Sequence, residues 1–402
     1  MKILHTADWH LGHRLHEQSQ FEEQSQFLEW LINDINDSSI DMLLISGDIF
    51  DTGVPSTQSQ KLYYDFLIQL TKTNCSHVVI TGGNHDAPGT INAPKSLLSS
   101  LGIKVVGKVT PELKDEVFKL KVKDEEVIIA AVPYLRDQDI RKASAGETFT
   151  EIGDRYKIAL VNHYQEVAQY SKSINNTDVP VIAMGHLFAI GGSTSDSEQT
   201  IYVGNLGDIG AEDFPKSFNY VALGHLHRPQ KIGDYEHIRY SGSPNILSFS
   251  EINYQKKIVV LETVNKKIKE IIEVDVPHFR KVLRVTGTVV ECIEELGGIV
   301  VSEKDLTPWV EVVIDNDVNN TVSHIEINKA VENLPIEVLK ITLKNKRVLK
   351  GIEELIEETK HIKELTPVEI FKLKCKEMDI DLNENKVMFD AFNEVVQIAR
   401  EN

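Results

Sequence analysis

Val78-Val79-Ile80-Thr81-Gly82-Gly83-Asn84-His85-Asp86 decides how this chain reads. An apolar, β-branched run of strand type is broken by two glycines, which then present an amide, an imidazole and a carboxylate. The arrangement recurs along the chain. Ile3-Leu4 leads into Asp8-Trp9-His10, and Met42-Leu43-Leu44-Ile45 leads into Gly47-Asp48-Ile49-Phe50-Asp51. Val181-Ile182-Ala183-Met184 leads into Gly185-His186, and Tyr220-Val221-Ala222-Leu223 into Gly224-His225-Leu226-His227. In open α/β sheets, sites form in the crevice beyond the carboxyl ends of the strands. Potential ligands spread over more than half the chain are therefore expected to converge on one place.

The segments between these strand ends alternate in period. Phe21, Phe27, Leu28, Leu31, Ile32 and Ile35 have helical spacing, as do Leu62, Phe66, Leu67 and Leu70, so the chain reads as βαβ units of a layered α/β sheet. From Lys104 to Pro133 short alternating runs predict a second, more antiparallel sheet packed on the first, and Arg155 to Tyr164 reads as a further strand. Gly191 to Glu198 reads as a polar loop, equally a plain connector or a substrate contact. Strands near Lys257 to Leu261 and Ile268 to Val274 close a first domain, 1–275. From Lys281 the order strand, helix, strand, helix, strand gives a small α+β capping or DNA-binding domain, 277–346. Residues 349–402 form a helical tail. In it Thr366-Pro367-Val368-Glu369 is a capping box, and Met388, Phe392, Val395 and Ala399 recur at helical spacing, as a partner-docking face would.

At 402 residues the chain is long enough for about two to three domains, and a hydrophobic fraction of 41% can fill their cores. No apolar run approaches the roughly 20 residues needed to cross a bilayer, and nothing at Met1 resembles a signal peptide, so a soluble, cytoplasmic protein is expected. Cys75, Cys292 and Cys375 are widely separated, which argues against a disulfide framework or structural zinc. The net charge of −18 weighs against DNA binding by the isolated chain. Lys340, Lys344, Lys346, Arg347 and Lys350 form one basic cluster, which reads somewhat better as a solvated strand edge.

The ligand types define the chemistry. Two divalent ions that clamp the oxygens of a phosphoryl displacement need a bridging ligand, and Asp48, in a glycine-led turn, is the natural carboxylate for it. Asp8 and His10 alternate across a strand end, so a kink beside Gly12 is needed to aim both at one ion, while His225 and His227 can face two ions separately. Asn84 offers a neutral oxygen and His186 an imidazole. Mixed oxygen and imidazole ligation suits Mn²⁺ or Fe²⁺ better than Mg²⁺. His85, beside Asn84, points the other way and is free to act as a general acid. The carboxylate of Asp51, or that of Asp86, would orient its ring, and Asp51 is the better placed. The remaining histidines, His5, His13, His16, His77, His163, His237, His278, His324 and His361, lack this setting and are expected not to ligate.

Asp-x-His, Gly-Asp-x-x-Asp, Gly-Asn-His-Asp, Gly-His and Gly-His-x-His in this order resemble the signature of the calcineurin-like metallophosphoesterases. Ile3-Leu4-His5-Thr6-Ala7-Asp8-Trp9-His10-Leu11-Gly12, Ala222 to Gln230 and Arg239-Tyr240-Ser241-Gly242-Ser243-Pro244 are similar to the SbcD family of bacterial nuclease subunits. That resemblance implies a layered metallophosphoesterase β-sandwich flanked by helices. It also implies a Mn²⁺-dependent DNA nuclease, 3'-5' on duplex ends and endonucleolytic on single strands and hairpins. Such a subunit acts with an SbcC-type ATPase in repair and recombination, as a homodimer within a heterotetramer. By position one metal falls to Asp8, His10, Asp48 and His227, the other to Asp48, Asn84, His186 and His225, and His85 is the catalytic histidine. The ligand set alone also suits a phosphodiesterase of small nucleotides. A non-catalytic scaffold fits the intact set poorly.

Overall fold

A computed structural model describes residues 1–140, 149–195, 198, 209–302, 305–315, 320–344, 375 and 392. The helical tail expected over 349–402, apart from Cys375 and Phe392, and Lys346 and Arg347 of the basic cluster lie outside these residues. By contacts the chain divides into two units. The first is Met1–Arg284 with Val301–Val310, and the second is Val285–Val300 with Glu311–Asn402, described mainly over 285–300, 311–315 and 320–344.

Two six-stranded sheets make the body of the first unit. In one, Lys2–Thr6, Met42–Ser46, His77–Thr81 and Ile103–Val106 run parallel, and the hairpin Lys257–Val264 with Lys267–Asp275 is added antiparallel beside Lys2–Thr6. In the other, Glu125–Ala131, Val181–His186, Tyr220–Gly224 and Tyr235–Tyr240 run parallel, with antiparallel partners only at the edges, Val117–Val122 and Gln230–Ile232. The second sheet is thus no more antiparallel than the first, contrary to the sequence expectation. The parallel pairing of Val181–His186 with Tyr220–Gly224 brings His186 and His225 to the same sheet end.

The inner faces of the sheets meet in a core of Ile3, Met42, Leu44 and Val79 against Ile129, Ile182, Met184 and Ala222, all buried. Helices Phe21–Asp37 and Thr57–Leu70 cover the outer face of the first sheet through Phe27, Leu31, Ile35, Phe66 and Leu70. Helix Phe149–Ile174 covers the second. The order helix, sheet, sheet, helix is the layered α/β architecture expected. Residues 155–164, expected as a strand, belong to that last helix. Tyr156, Ile158 and Leu160 alternate like a strand, but Ile158 is 58% exposed, while Tyr156, Leu160, Tyr164, Val167 and Ser171 are buried at steps of three or four residues.

The region from Arg280 follows the expected order: strand Arg280–Gly287, helix Val289–Gly297, strand Leu306–Asp315, helix Asn320–Val331 and strand Glu337–Lys344. Its three strands pair in chain order. Lys340 and Lys344 pair with Glu311 at 3.1 Å and Asp315 at 3.8 Å, so the described part of the basic cluster is neutralised across its own sheet. Among the described residues, no helix is long and apolar enough to cross a membrane.

Candidate metal centre

Backbone turns beyond the strand ends bring the candidate ligands together. Four of them, Asp8, His10, Asp48 and His225, have φ of 54°, 44°, 48° and 103°, in the left-handed region that side chains rarely occupy. Such strain, on the order of 1–3 kcal/mol per residue, persists only where the surroundings hold it. The kink expected at Gly12 therefore begins earlier, at Asp8 and His10 themselves. Asp8 N–H donates to Gly47 O at 3.1 Å and His10 N–H to Asp48 O at 3.0 Å, which zips the first two turns together.

Glycines permit the closest approaches. At Gly47, with φ +84°, a Cβ would stand 2.3 Å from His186 Nδ1, and at Gly83 a Cβ would stand 2.1 Å from Asp48 Oδ1. Gly83→Ala is therefore expected to destabilise the fold by about 1–3 kcal/mol, as overpacking does, and to weaken cation binding. Denaturant unfolding and calorimetric Mn²⁺ titration check this; a wild-type midpoint with unchanged affinity would contradict it.

Asp48 sits at the middle of the cluster. Its Oδ2 lies 3.2 Å from His186 Nε2 and 3.6 Å from His10 Nε2, so one carboxylate oxygen faces candidate ligands on both sides. On one side Asp8, His10 and His227 place ligand atoms within 4.8 Å of one another, and on the other Asp48, His186 and His225 do so. Asn84 Oδ1 joins the second group, 2.9 Å from His186 Nε2 and 3.1 Å from His225 Nδ1. All seven residues named from sequence are thus brought to one place.

Two observations fit this donor set to cations. Asp8 Oδ2 and His10 Nε2 are buried without a hydrogen-bond partner, a costly state for polar atoms unless an ion satisfies them. His186 Nδ1 donates to Ser46 O at 2.9 Å, which turns the Nε2 lone pair toward the oxygens of Asn84 and Asp48. Only a proton or a metal ion resolves that contact. Without a metal, burial opposes the charge on His186 but Asp48 beside it prevails, and the imidazole pKa is raised to about 9. Burial raises Asp8 to about 7, against the attraction of His186 and His227.

His85 stands apart from both groups of ligands just described. Its ring is half-buried, its Nδ1 donates to the backbone carbonyl of Asp51 at 2.7 Å, and its N–H donates to Asp48 Oδ1 at 2.9 Å. The expectation that a carboxylate orients His85 needs correction. Asp51 does so through its carbonyl; its carboxylate bonds His13 Nδ1 at 2.8 Å and lies 3.3 Å from His10 Nδ1. Asp86 is committed elsewhere, accepting from the backbone N–H groups of Gly83, Ile49 and Phe50.

Sequence reasoning did not single out several neighbours. Gln24, fully buried, accepts from Gly12 N–H and donates to His10 O, each at 2.9 Å, bracing the first turn from the helix behind it. Glu251 and Lys256, 0% and 1% exposed, lie against His227. Ser195 bonds Glu251 and Glu198 caps His227 N–H, so the described part of the loop after His186 is anchored on a ligand turn. No spacing marks these residues, because each bonds a partner distant in sequence.

Residues 1–229 match the calcineurin-like phosphoesterase family, and residues 278–379 match the type 5 capsule protein repressor C-terminal domain. The SbcD component of the SbcCD nuclease from Escherichia coli strain K12 is 31% identical over 382 residues, 94% of either chain. The chain belongs to the SbcD family of calcineurin-like phosphoesterases. The SbcD relative from Bacillus subtilis strain 168 is 35% identical over 265 residues, 65% of this chain and 66% of its own. That from Rhodobacter capsulatus is 31% identical over 357 residues, 85% and 87% of the two chains. SbcD proteins are nuclease subunits, and this one is a metal-dependent phosphodiesterase of that kind.

Proposed function

We propose that this chain cleaves DNA at a pair of divalent cations, one held by Asp8, His10, Asp48 and His227 and the other by Asp48, Asn84, His186 and His225. The observation that carries this reading is Asp48 Oδ2 between His10 Nε2 and His186 Nε2, with unpartnered polar atoms of Asp8 and His10 beside it. When bound, two such ions act as Lewis acids on a phosphodiester and raise the nucleophilicity of water. Neutral imidazole and carboxylate donors favour Mn²⁺ over Mg²⁺.

The chain's own groups do the rest. Backbone carbonyls at Ser46 and Asp51 fix the rings of His186 and His85, so neither reorients as charge develops. His85, with Nδ1 occupied by a carbonyl, has Nε2 available to meet the phosphoryl group and protonate the departing oxygen. Polymer DNA is favoured over small nucleotides because likeness to nuclease subunits extends past the catalytic domain, over 94% of the chain. The likeness to a subunit of the SbcCD nuclease supports an SbcC-type ATPase as partner, and we extend the reading to a homodimer with residues 349–402 as the docking segment. A net charge of −18 suits this arrangement, in which the partner supplies basic surface for DNA.

The test is a cleavage assay on the full chain with Mn²⁺, alone and after coexpression with an SbcC-type ATPase. Hairpin and single-stranded DNA should be cut by the chain alone, and duplex ends degraded by the copurified complex with ATP. Hydrolysis of cyclic nucleotides with DNA untouched in both preparations would overturn the reading.

A further inference from the structure

Two of the imidazoles assigned to cations are held by different means. His186 is aimed by a backbone carbonyl, Ser46 O, which no substitution of a side chain removes. His227 is held by side chains at three of its polar groups, with the Ser243 N–H also donating to its carbonyl at 3.1 Å. Its N–H donates to Glu198 Oε1 at 2.8 Å, its carbonyl accepts from Lys256 Nζ at 3.4 Å, and its Nδ1 lies 3.3 Å from Glu251 Oε1. Glu251 is in turn locked in place. Its Oε2 accepts from Lys256 Nζ at 2.6 Å and from Leu247 N–H at 3.0 Å, and its Oε1 also accepts from Ser195 Oγ at 3.0 Å.

A fully buried ion pair contributes little net stability over apolar residues of the same volume, because desolvation offsets the attraction. Its place against a ligand ring gives it another use. An acceptor at Nδ1 selects the tautomer with hydrogen on Nδ1 and leaves the Nε2 lone pair free, and it fixes the ring about its Cβ–Cγ bond. The His227 ring packs edge to face on His10, 5.0 Å between centroids, in the group it shares with Asp8 and His10.

We infer that Glu251, braced by Lys256, is the positioning residue that aims His227 Nε2 at the cation shared with Asp8 and His10. This rests on the assignment of His227 to that cation. The consequence is selective: loss of the Nδ1 acceptor weakens one of the two cation sites and spares the other, whose ring is aimed by Ser46 O.

The experiment compares two double variants of the full chain that both remove the buried charge pair. Glu251→Gln with Lys256→Met keeps an amide oxygen opposite Nδ1, whereas Glu251→Leu with Lys256→Met keeps volume but no acceptor. Mn²⁺ binding is followed by calorimetry and electron paramagnetic resonance, with thermal midpoints recorded for both. The leucine variant is expected to bind one of two ions about 10–100-fold more weakly, and the glutamine variant to stay within about threefold of wild type. Equal affinities in the two folded variants would overturn the role of Glu251. His227→Ala, measured alongside, separates the failures. If it loses one ion while the leucine variant loses none, only the Glu251 role falls; if it keeps both ions, the His227 assignment falls, and this inference with it.

Discussion

Asp48→Asn is expected to abolish nuclease activity and cation pairing together, with turnover falling by at least about three orders of magnitude, as when a central catalytic group is removed. Asp48 Oδ2 faces His10 and His186 at once, 3.6 and 3.2 Å from their Nε2 atoms. A neutral amide offers one oxygen and no charge. It cannot offset two adjacent dications, and its NH₂ group would carry hydrogens toward the positions the ions need. The fold should survive, because an asparagine Oδ1 still accepts the His85 N–H that Asp48 Oδ1 accepts at 2.9 Å. Asparagine also tolerates the left-handed backbone found at Asp48. Circular dichroism and thermal unfolding of the metal-free proteins should therefore stay near wild type, while Mn²⁺ titration reports fewer than two tight ions. Two tightly bound ions per chain in this variant would sink the assignment of Asp48 as the bridge.

Much of the fold and of the candidate site is legible in the sequence because both follow from local patterns. Apolar β-branched runs ending in Gly-Asp, Gly-Asn-His or Gly-His carry the strand and the ligand in one short stretch, and parallel pairing brings such ends to one edge. What the sequence hides is of three kinds. The first is a conflict of periods: Arg155 to Tyr164 satisfies a period of two locally and a period of 3.6 only when read through to Ser171. The second is backbone chemistry. Asp51 stands out in sequence for its carboxylate, yet its carbonyl holds His85, and Ser46 aims His186 with a carbonyl that any residue could supply. Side-chain identity cannot announce a role played by the main chain. The left-handed φ of Asp8, His10 and Asp48 is likewise set by the sheets they connect and not by residue type. Glu251 and Lys256 are hidden for a further reason, since a buried ion pair is specified by tertiary surroundings rather than by spacing.

His85→Gln is expected to keep both cations and lose about two to four orders of magnitude in turnover, the range for a missing general acid. The ring is fixed at Nδ1 by Asp51 O at 2.7 Å and meets the edge of His10 with 4.8 Å between centroids. It thus borders the metal cluster without belonging to the Asp8–His10–His227 or Asp48–His186–His225 groups. A glutamine amide can still donate to Asp51 O, so the turn should hold. It cannot transfer a proton near neutral pH, so the departing oxygen would leave unprotonated. The alternative is written in the same geometry, because His10, Asp51 and His85 also bring ligand atoms within 4.8 Å of one another and form a third possible metal group. The two readings part in two measurements. With His85 as acid, Mn²⁺ stoichiometry and affinity match wild type, and substrates with a more acidic leaving group recover much of the lost rate, since they need less help from a proton donor. With His85 as ligand, an ion is lost and leaving-group acidity rescues nothing.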